Sequence, residues 1–119
     1  MSTLFLDDNL ERIARMTSAS PHAVIVTTAK EAIDKIASCP IWGTVWLDHD
    51  LNGERFVDSG RTDCGMEVVR WLEKTHQPVY SFMIHTCNER AAIEMQQRLE
   101  GAGYSWVQRI PFDGEYDGS

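Results

Sequence analysis

The sequence has no long hydrophobic run: nothing in it approaches the ~20 apolar residues that a membrane-crossing helix requires. It has no basic excess either. Eleven Lys and Arg stand against eighteen Asp and Glu, a formal net charge of −7. That excludes an extended nucleic-acid surface, since tracking a phosphate backbone takes a basic face. A local basic pocket for one small phosphate is compatible with the sum. Cysteine is scarce and odd in number: Cys39, Cys64 and Cys87 form no Cys-x-x-Cys pair and follow no secretory leader. Reduced thiols and a cytoplasmic location are expected. Repeats, low-complexity stretches and linkers are absent. At 119 residues and 43% hydrophobic, the chain is long enough for one domain, 1–119, with a core of its own.

What is present centres on Val45-Trp46-Leu47-Asp48-His49-Asp50. An apolar, β-branched and aromatic run reads as a buried strand, and nothing about packing calls for it to end in three ionisable groups. Upstream, Thr3–Leu6 is a short strand ending in Asp7-Asp8. A helical pattern follows, with Leu10, Ile13, Ala14 and Thr17 as its stripe and Asp8 or Asn9 as its cap. Ala23–Thr27 is a second strand, and Thr28 opens a helix that buries Ala29, Ala32, Ile33, Ile36 and Ala37. The third strand runs from about Gly43 to Asp48.

The polar, glycine-bearing stretch Asn52–Asp63 is too long for a tight turn and reads as a functional loop. A third helix starts near Cys64-Gly65, turning Met66, Val69 and Leu72 inward, and Pro78 precedes the next strand. Val79–Ile84 is that strand, ending in His85-Thr86-Cys87-Asn88. The fourth helix carries Ala92, Met95, Leu99 and Ala102 on one stripe, with Gly101 and Gly103 available as its C-cap. Ser105–Ile110 is a fifth strand. Residues 112–119 are acidic and without periodicity, an expected frayed tail.

Strict β-α alternation predicts a parallel sheet covered on both faces, with right-handed crossovers. For five strands the usual doubly wound order is 2-1-3-4-5, a three-layer α/β sandwich whose ligands bind beyond the carboxyl ends of the strands. Asp7 and Asp8, Asp48 to Asp50, and His85 to Asn88 then converge on one edge. Four carboxylates there (Asp7, Asp8, Asp48 and Asp50) repel one another. A hard divalent cation, Mg²⁺ or Mn²⁺, relieves that repulsion through oxygen ligands.

His49 and His85 in one pocket are the equipment for general acid and general base work on a phosphoester. Thr86 and Asn88, with the free N–H groups opening the fourth helix, suit phosphoryl oxygens, and Arg109 at the end of the fifth strand suits them bidentately. Each residue also has a plainer assignment. Asp8 and Asn88 are ordinary helix caps, His49 a loop histidine, Arg109 a surface charge, and Arg12 solvated or paired with an acid. A Cys87 thiolate activated by His85 is a rival nucleophile, although nothing beyond sequence proximity orients the pair.

Taken together these residues resemble a response-regulator receiver domain across nearly the whole chain. Asp7-Asp8 are similar to its acidic pair, Asp48 to its phosphoacceptor and Thr86 to its strand-four hydroxyl; Arg109, with Pro111 shortly after, lies near the place of its strand-five lysine. Arg in place of Lys and the two histidines depart from an ordinary receiver. They resemble instead an offshoot found in phage and bacterial genomes, the cyclic-phosphate-processing receiver-like family. The carrying motifs are Leu6-Asp7-Asp8, Leu47-Asp48-His49-Asp50-Leu51 and His85-Thr86-Cys87-Asn88, the last with Thr where the family has Ser. A proline and glycine expected after Asn88 are absent.

That resemblance implies hydrolysis or binding of a cyclic phosphate, on an RNA end or a small nucleotide. A phosphoesterase with Asp48, His49 and His85 as catalytic residues is the leading expectation. The alternative is a non-enzymatic receiver in which Asp48 is a phosphoacceptor, or a domain that binds a cyclic nucleotide without cutting it.

Overall fold

The structure is a computed structural model that describes residues 2–51, 54 and 56–110. The tail expected at 112–119 and Pro111 lie outside the described residues, as do Asn52, Gly53 and Arg55 within the loop.

Among the described residues the elements alternate strictly. They are β1 (Thr3–Leu6), α1 (Leu10–Ala19), β2 (Val24–Val26), α2 (Ala29–Ala37), β3 (Trp42–Leu47), α3 (Gly65–Thr75), β4 (Val79–Ile84), α4 (Glu89–Gly101) and β5 (Val107–Arg109). The five strands form one sheet in the order β2-β1-β3-β4-β5, and every pairing is parallel. This is the expected doubly wound arrangement, that of a receiver or flavodoxin-like α/β fold. With right-handed crossovers, the reversal between β1→β2 and β2→β3 sends α1 to one face and α2–α4 to the other.

Strand residues alternate between those faces. Leu4, Leu6, Val45, Leu47, Phe82 and Ile84 join the buried cluster with Ala32, Ile36, Met66, Val69, Leu72, Met95 and Leu99 from α2–α4. Phe5, Trp46 and Met83, in register with one another, occupy the α1 side. The helices start where capping chemistry lets them. Asn9, Thr28 and Asn88 each accept a backbone N–H with the side-chain oxygen, satisfying a donor that would otherwise be left free at a helix N-terminus.

Several boundaries differ from expectation. β2 and β5 are shorter, at three residues each, because Thr27 and Thr28 serve the start of α2 and no partner strand extends the edge. The stripe expected on α1 is not its packed face. Leu10, Ala14 and Thr17 are exposed, while Arg12, Ile13 and Met16 are half-buried. Gly101 is helical and Ala102 is the C-cap. Gly103, at φ +105°, makes the left-handed exit that glycine adopts without strain. Of the expected loop, residues 54 and 56–63 carry neither helix nor strand. Among the described residues no helix is long and apolar enough to cross a membrane.

Candidate functional site

The carboxyl edge of the sheet opens into a cleft of about 470 Å³ between the β1–α1 turn, the end of β3 and the β4–α4 turn. Asp8, Asn9, Leu10, Glu11 and Arg12 form one wall, Thr86 and Cys87 the other, and Asp48, Asp50 and Glu54 complete the lining. Parallel pairing puts these segments together: Asp48 N donates to Leu6 O and His85 N to Leu47 O, continuing the ladder one residue past each strand.

Asp7, Asp8 and Asp48 bring ligand atoms within 4.8 Å of one another, a group that could hold a metal ion. They differ in what they already hold. Asp7 is fully buried. Its Oδ1 accepts from Asn9 N at 2.9 Å and Arg12 Nη2 at 3.0 Å, and its Oδ2 from Arg12 Nε at 2.6 Å and His85 Nε2 at 3.1 Å. Four donors fill the acceptor sites of a carboxylate. Burial works against its charge, but the bonds from His85 and Arg12 prevail and draw the pKa down to about 2.

Asp48 is different. It is 2% exposed, and its Oδ1 accepts the His49 N–H at 2.8 Å. Its buried Oδ2 accepts no full hydrogen bond among the described residues, its ion pair being Arg12 Nη2 at 3.5 Å. Burial, then the Asp7 charge, push its pKa well above the usual carboxylate range, against the opposing pull of Arg12, the Thr86 hydroxyl and the His49 N–H. A spare, buried acceptor beside two other acids is the feature of the site that most wants a cation.

Asp50 is not part of that group, although it was expected among the ligands. His49 Nδ1 at 2.7 Å, Val57 N at 3.1 Å and Asn88 Nδ2 at 3.3 Å occupy its Oδ1, and Phe56 N at 2.7 Å its Oδ2. It fastens the loop after β3 to the start of α4. Phe56 sits at φ +53°, a left-handed conformation uncommon for a bulky residue, and its N–H ends on this carboxylate.

The two histidines do not meet in one pocket. Both are 0% exposed and neither lines the cleft. His49 continues the parity of Val45 and Leu47 and so points to the α3 side, where its Nε2 pairs with Ser59 Oγ at 3.0 Å. Burial disfavours its charge, but the Asp50 carboxylate and the Cys64 sulfur more than compensate and raise the pKa to about 9. His85 has the parity of Met83 and lies on the α1 side, stacked on Phe5 with ring centroids 4.7 Å apart. Burial lowers its pKa despite Asp7. Its Nε2 lies 3.1 Å from Asp7 Oδ2, a pairing in which the ring nitrogen is the donor to an ionised carboxylate.

Thr86 lines the cleft as expected. Asn88 caps α4 with its Oδ1 and reaches Asp50 with its Nδ2, so it supports the site from behind. Arg109 lies elsewhere: it is exposed and donates Nε to Gln96 Oε1 on α4 at 2.8 Å. Cys87 is exposed at the rim, whereas His85 is enclosed behind Asp7, so they do not form a nucleophile–base pair.

Among the described residues the cation that lines the cleft is Arg12, read from the sequence as solvated or acid-paired. It is acid-paired, but inside the site. The signal was available: helical side chains lean toward the N-terminus, so the third residue of α1 reaches back over Asp7. A base in a helix's first turn also opposes the helix dipole.

With that geometry in place, comparison with known families gives one clear result. The model of the cyclic-phosphate processing receiver domain matches residues 2–101, and the chain belongs to that family. No curated protein matched it.

Proposed function

We propose that this member of the cyclic-phosphate processing receiver family is a metal-assisted phosphoesterase, acting on the cyclic phosphate of a nucleotide or an RNA end. The observation that carries the reading is the buried, spare Oδ2 of Asp48 at the floor of a cleft that also holds Asp8 and Arg12. Asp48 and Asp8, with Asp7 behind them, are the residues to hold the ion. All-oxygen ligands of this kind suit Mg²⁺ or Mn²⁺. Such an ion polarises a phosphoryl oxygen and lowers the barrier to attack at phosphorus.

The reaction adds water across one ring P–O bond: the water oxygen joins phosphorus, one ester bond breaks, and the freed oxygen leaves as a hydroxyl. Thr86 offers its hydroxyl to the phosphoryl group. Carboxylates rather than imidazoles line the cleft among the described residues, so the water's proton passes to a cleft carboxylate and from there to the freed oxygen. The histidines act as positioning residues: His85 orients Asp7, and His49 orients Asp50 and the loop beyond it.

The test is incubation with Mg²⁺ or Mn²⁺ and a panel of 2′,3′- and 3′,5′-cyclic nucleotides, cyclic oligonucleotides and ADP-ribose cyclic phosphate. A ring-opened product that is absent with Asp48→Asn supports the reading. Tight binding without product makes the pocket a sensor or sponge. If no compound is bound or cut, and a small phosphodonor instead labels Asp48, the domain is a signalling receiver.

A further inference from the structure

Arg12 occupies the position that a divalent cation would also seek. Its Nε and Nη2 grip Asp7 as a fork, at 2.6 and 3.0 Å. The same Nη2 is 3.5 Å from Asp48 Oδ2, and the residue lines the cleft. Two of the three acids that could hold a metal are therefore already facing a fixed positive charge, and a guanidinium never gives up its proton to make room. A divalent cation among these carboxylates is repelled by the guanidinium, and within a few ångströms such repulsion costs about tenfold or more in affinity. An anion in the cleft removes the conflict, since it can take the guanidinium's charge while the cation takes the spare acceptor on Asp48.

We infer that Arg12 is a phosphate-binding residue of this site, and that it makes phosphate and divalent-cation binding mutually dependent. The inference rests on the phosphoesterase reading for the identity of the anion. The competition between Arg12 and the cation follows from the geometry alone. A guanidinium whose fork is held by Asp7 is fixed in place, so its charge meets an anion in the cleft with little freedom left to lose on binding. Linkage then requires that each ligand raise the affinity for the other by the same factor.

The experiment is calorimetric titration of the intact protein with Mn²⁺ alone, with inorganic phosphate alone, and with Mn²⁺ at saturating phosphate, for wild type, Arg12→Gln and Arg12→Lys. In wild type, phosphate should tighten Mn²⁺ by about tenfold. Arg12→Gln should bind Mn²⁺ alone about tenfold more tightly, bind phosphate more weakly, and show no coupling. Arg12→Lys, which keeps the charge without the fork, should leave Mn²⁺ weak and still lose phosphate. It also serves if the Gln variant fails to fold.

A merely structural Arg12 would move both affinities the same way, and that result overturns the inference. So does phosphate binding that survives both substitutions. If wild type takes up neither ion but Arg12→Gln takes up Mn²⁺, the competition stands while the phosphoesterase reading fails. If neither protein takes up Mn²⁺, both fail.

Discussion

Gly65, the first residue of α3, is the position where one methyl group is most informative. A Cβ built there would lie 1.9 Å from Asp48 O, 2.9 Å from Asp48 C and 3.0 Å from His49 Cα. The neighbours are backbone, so no side chain can swing aside, and Gly65 N also donates to His49 O at 2.9 Å. Two effects oppose each other in Gly65→Ala. Helix propensity favours alanine by up to ~1 kcal/mol. Against it, separating α3 from the β3 end by more than ~1 Å costs about 1–3 kcal/mol as overpacking, and the strained hydrogen bond loses about 1 kcal/mol more.

Overpacking wins, leaving a net loss of about 1–3 kcal/mol, which lowers Tm by roughly 4–12 °C in a domain of this size. Gly101→Ala is the control: it too is helical, and nothing lies within 4 Å of its added Cβ. Propensity acts there unopposed, and Tm should hold or rise by a few degrees. Thermal unfolding followed by circular dichroism compares the two. An unchanged or raised Tm in Gly65→Ala would refute the close approach that seats Asp48 and His49. Mn²⁺ titration of the same variant should show weakened binding, because the displaced carbonyl belongs to Asp48.

Two further outcomes follow from the buried acids and bases. Asp48→Asn should raise stability near neutral pH by on the order of 1 kcal/mol while abolishing Mn²⁺ binding. The wild-type carboxyl, with its folded pKa raised by burial, loses stability as pH climbs from its unfolded value near 4 through its folded one. The gap between variant and wild type should therefore close below about pH 4 in urea unfolding, and a destabilised variant at pH 7 would contradict this. His49→Gln tests the opposite sign. A folded pKa of about 9 makes the protonated imidazole stabilising by on the order of 2–3 kcal/mol below its unfolded value near 6.5, a contribution lost as pH rises through about 9. The variant should be less stable at pH 6 and have a flatter profile between pH 7 and 10; parallel profiles would show that the Asp50 and Cys64 contacts do not hold the charge.

The sheet order and the convergence of three polar strand ends were legible because both depend on short-range pattern: apolar runs of strand length, helices between them, and acids where the runs stop. Asp7, Asp8 and Asp48 come together for that reason alone. The direction of each side chain beyond a strand end was harder to read. His49 lies two residues after Leu47 and His85 one after Ile84. Leu47 and Ile84 share a face in register, so the imidazoles fall on opposite faces of the sheet. Parity held that information, but only once the register of β3 against β4 was known. Arg109 misled for a related reason. It ends a strand at the right edge, but its parity is that of buried Val107, which turns it toward Gln96 on α4.

The two acid–histidine pairs explain why the four carboxylates do not act alike. Asp7 and Asp50 each collect four hydrogen bonds, one of them from an imidazole. A carboxylate in that state is a strut of low basicity. The histidines thus help to fix, through Asp7, the guanidinium of Arg12 and, through Asp50, the loop at the rim. Asp48 differs: its buried Oδ2 has no full hydrogen bond among the described residues, which leaves it the acid of the four with the most evident room for a ligand. On the basic side the site is equally uneven: β5 turns Arg109 to Gln96 on α4, while α1 brings Arg12 into the cleft from the opposite side.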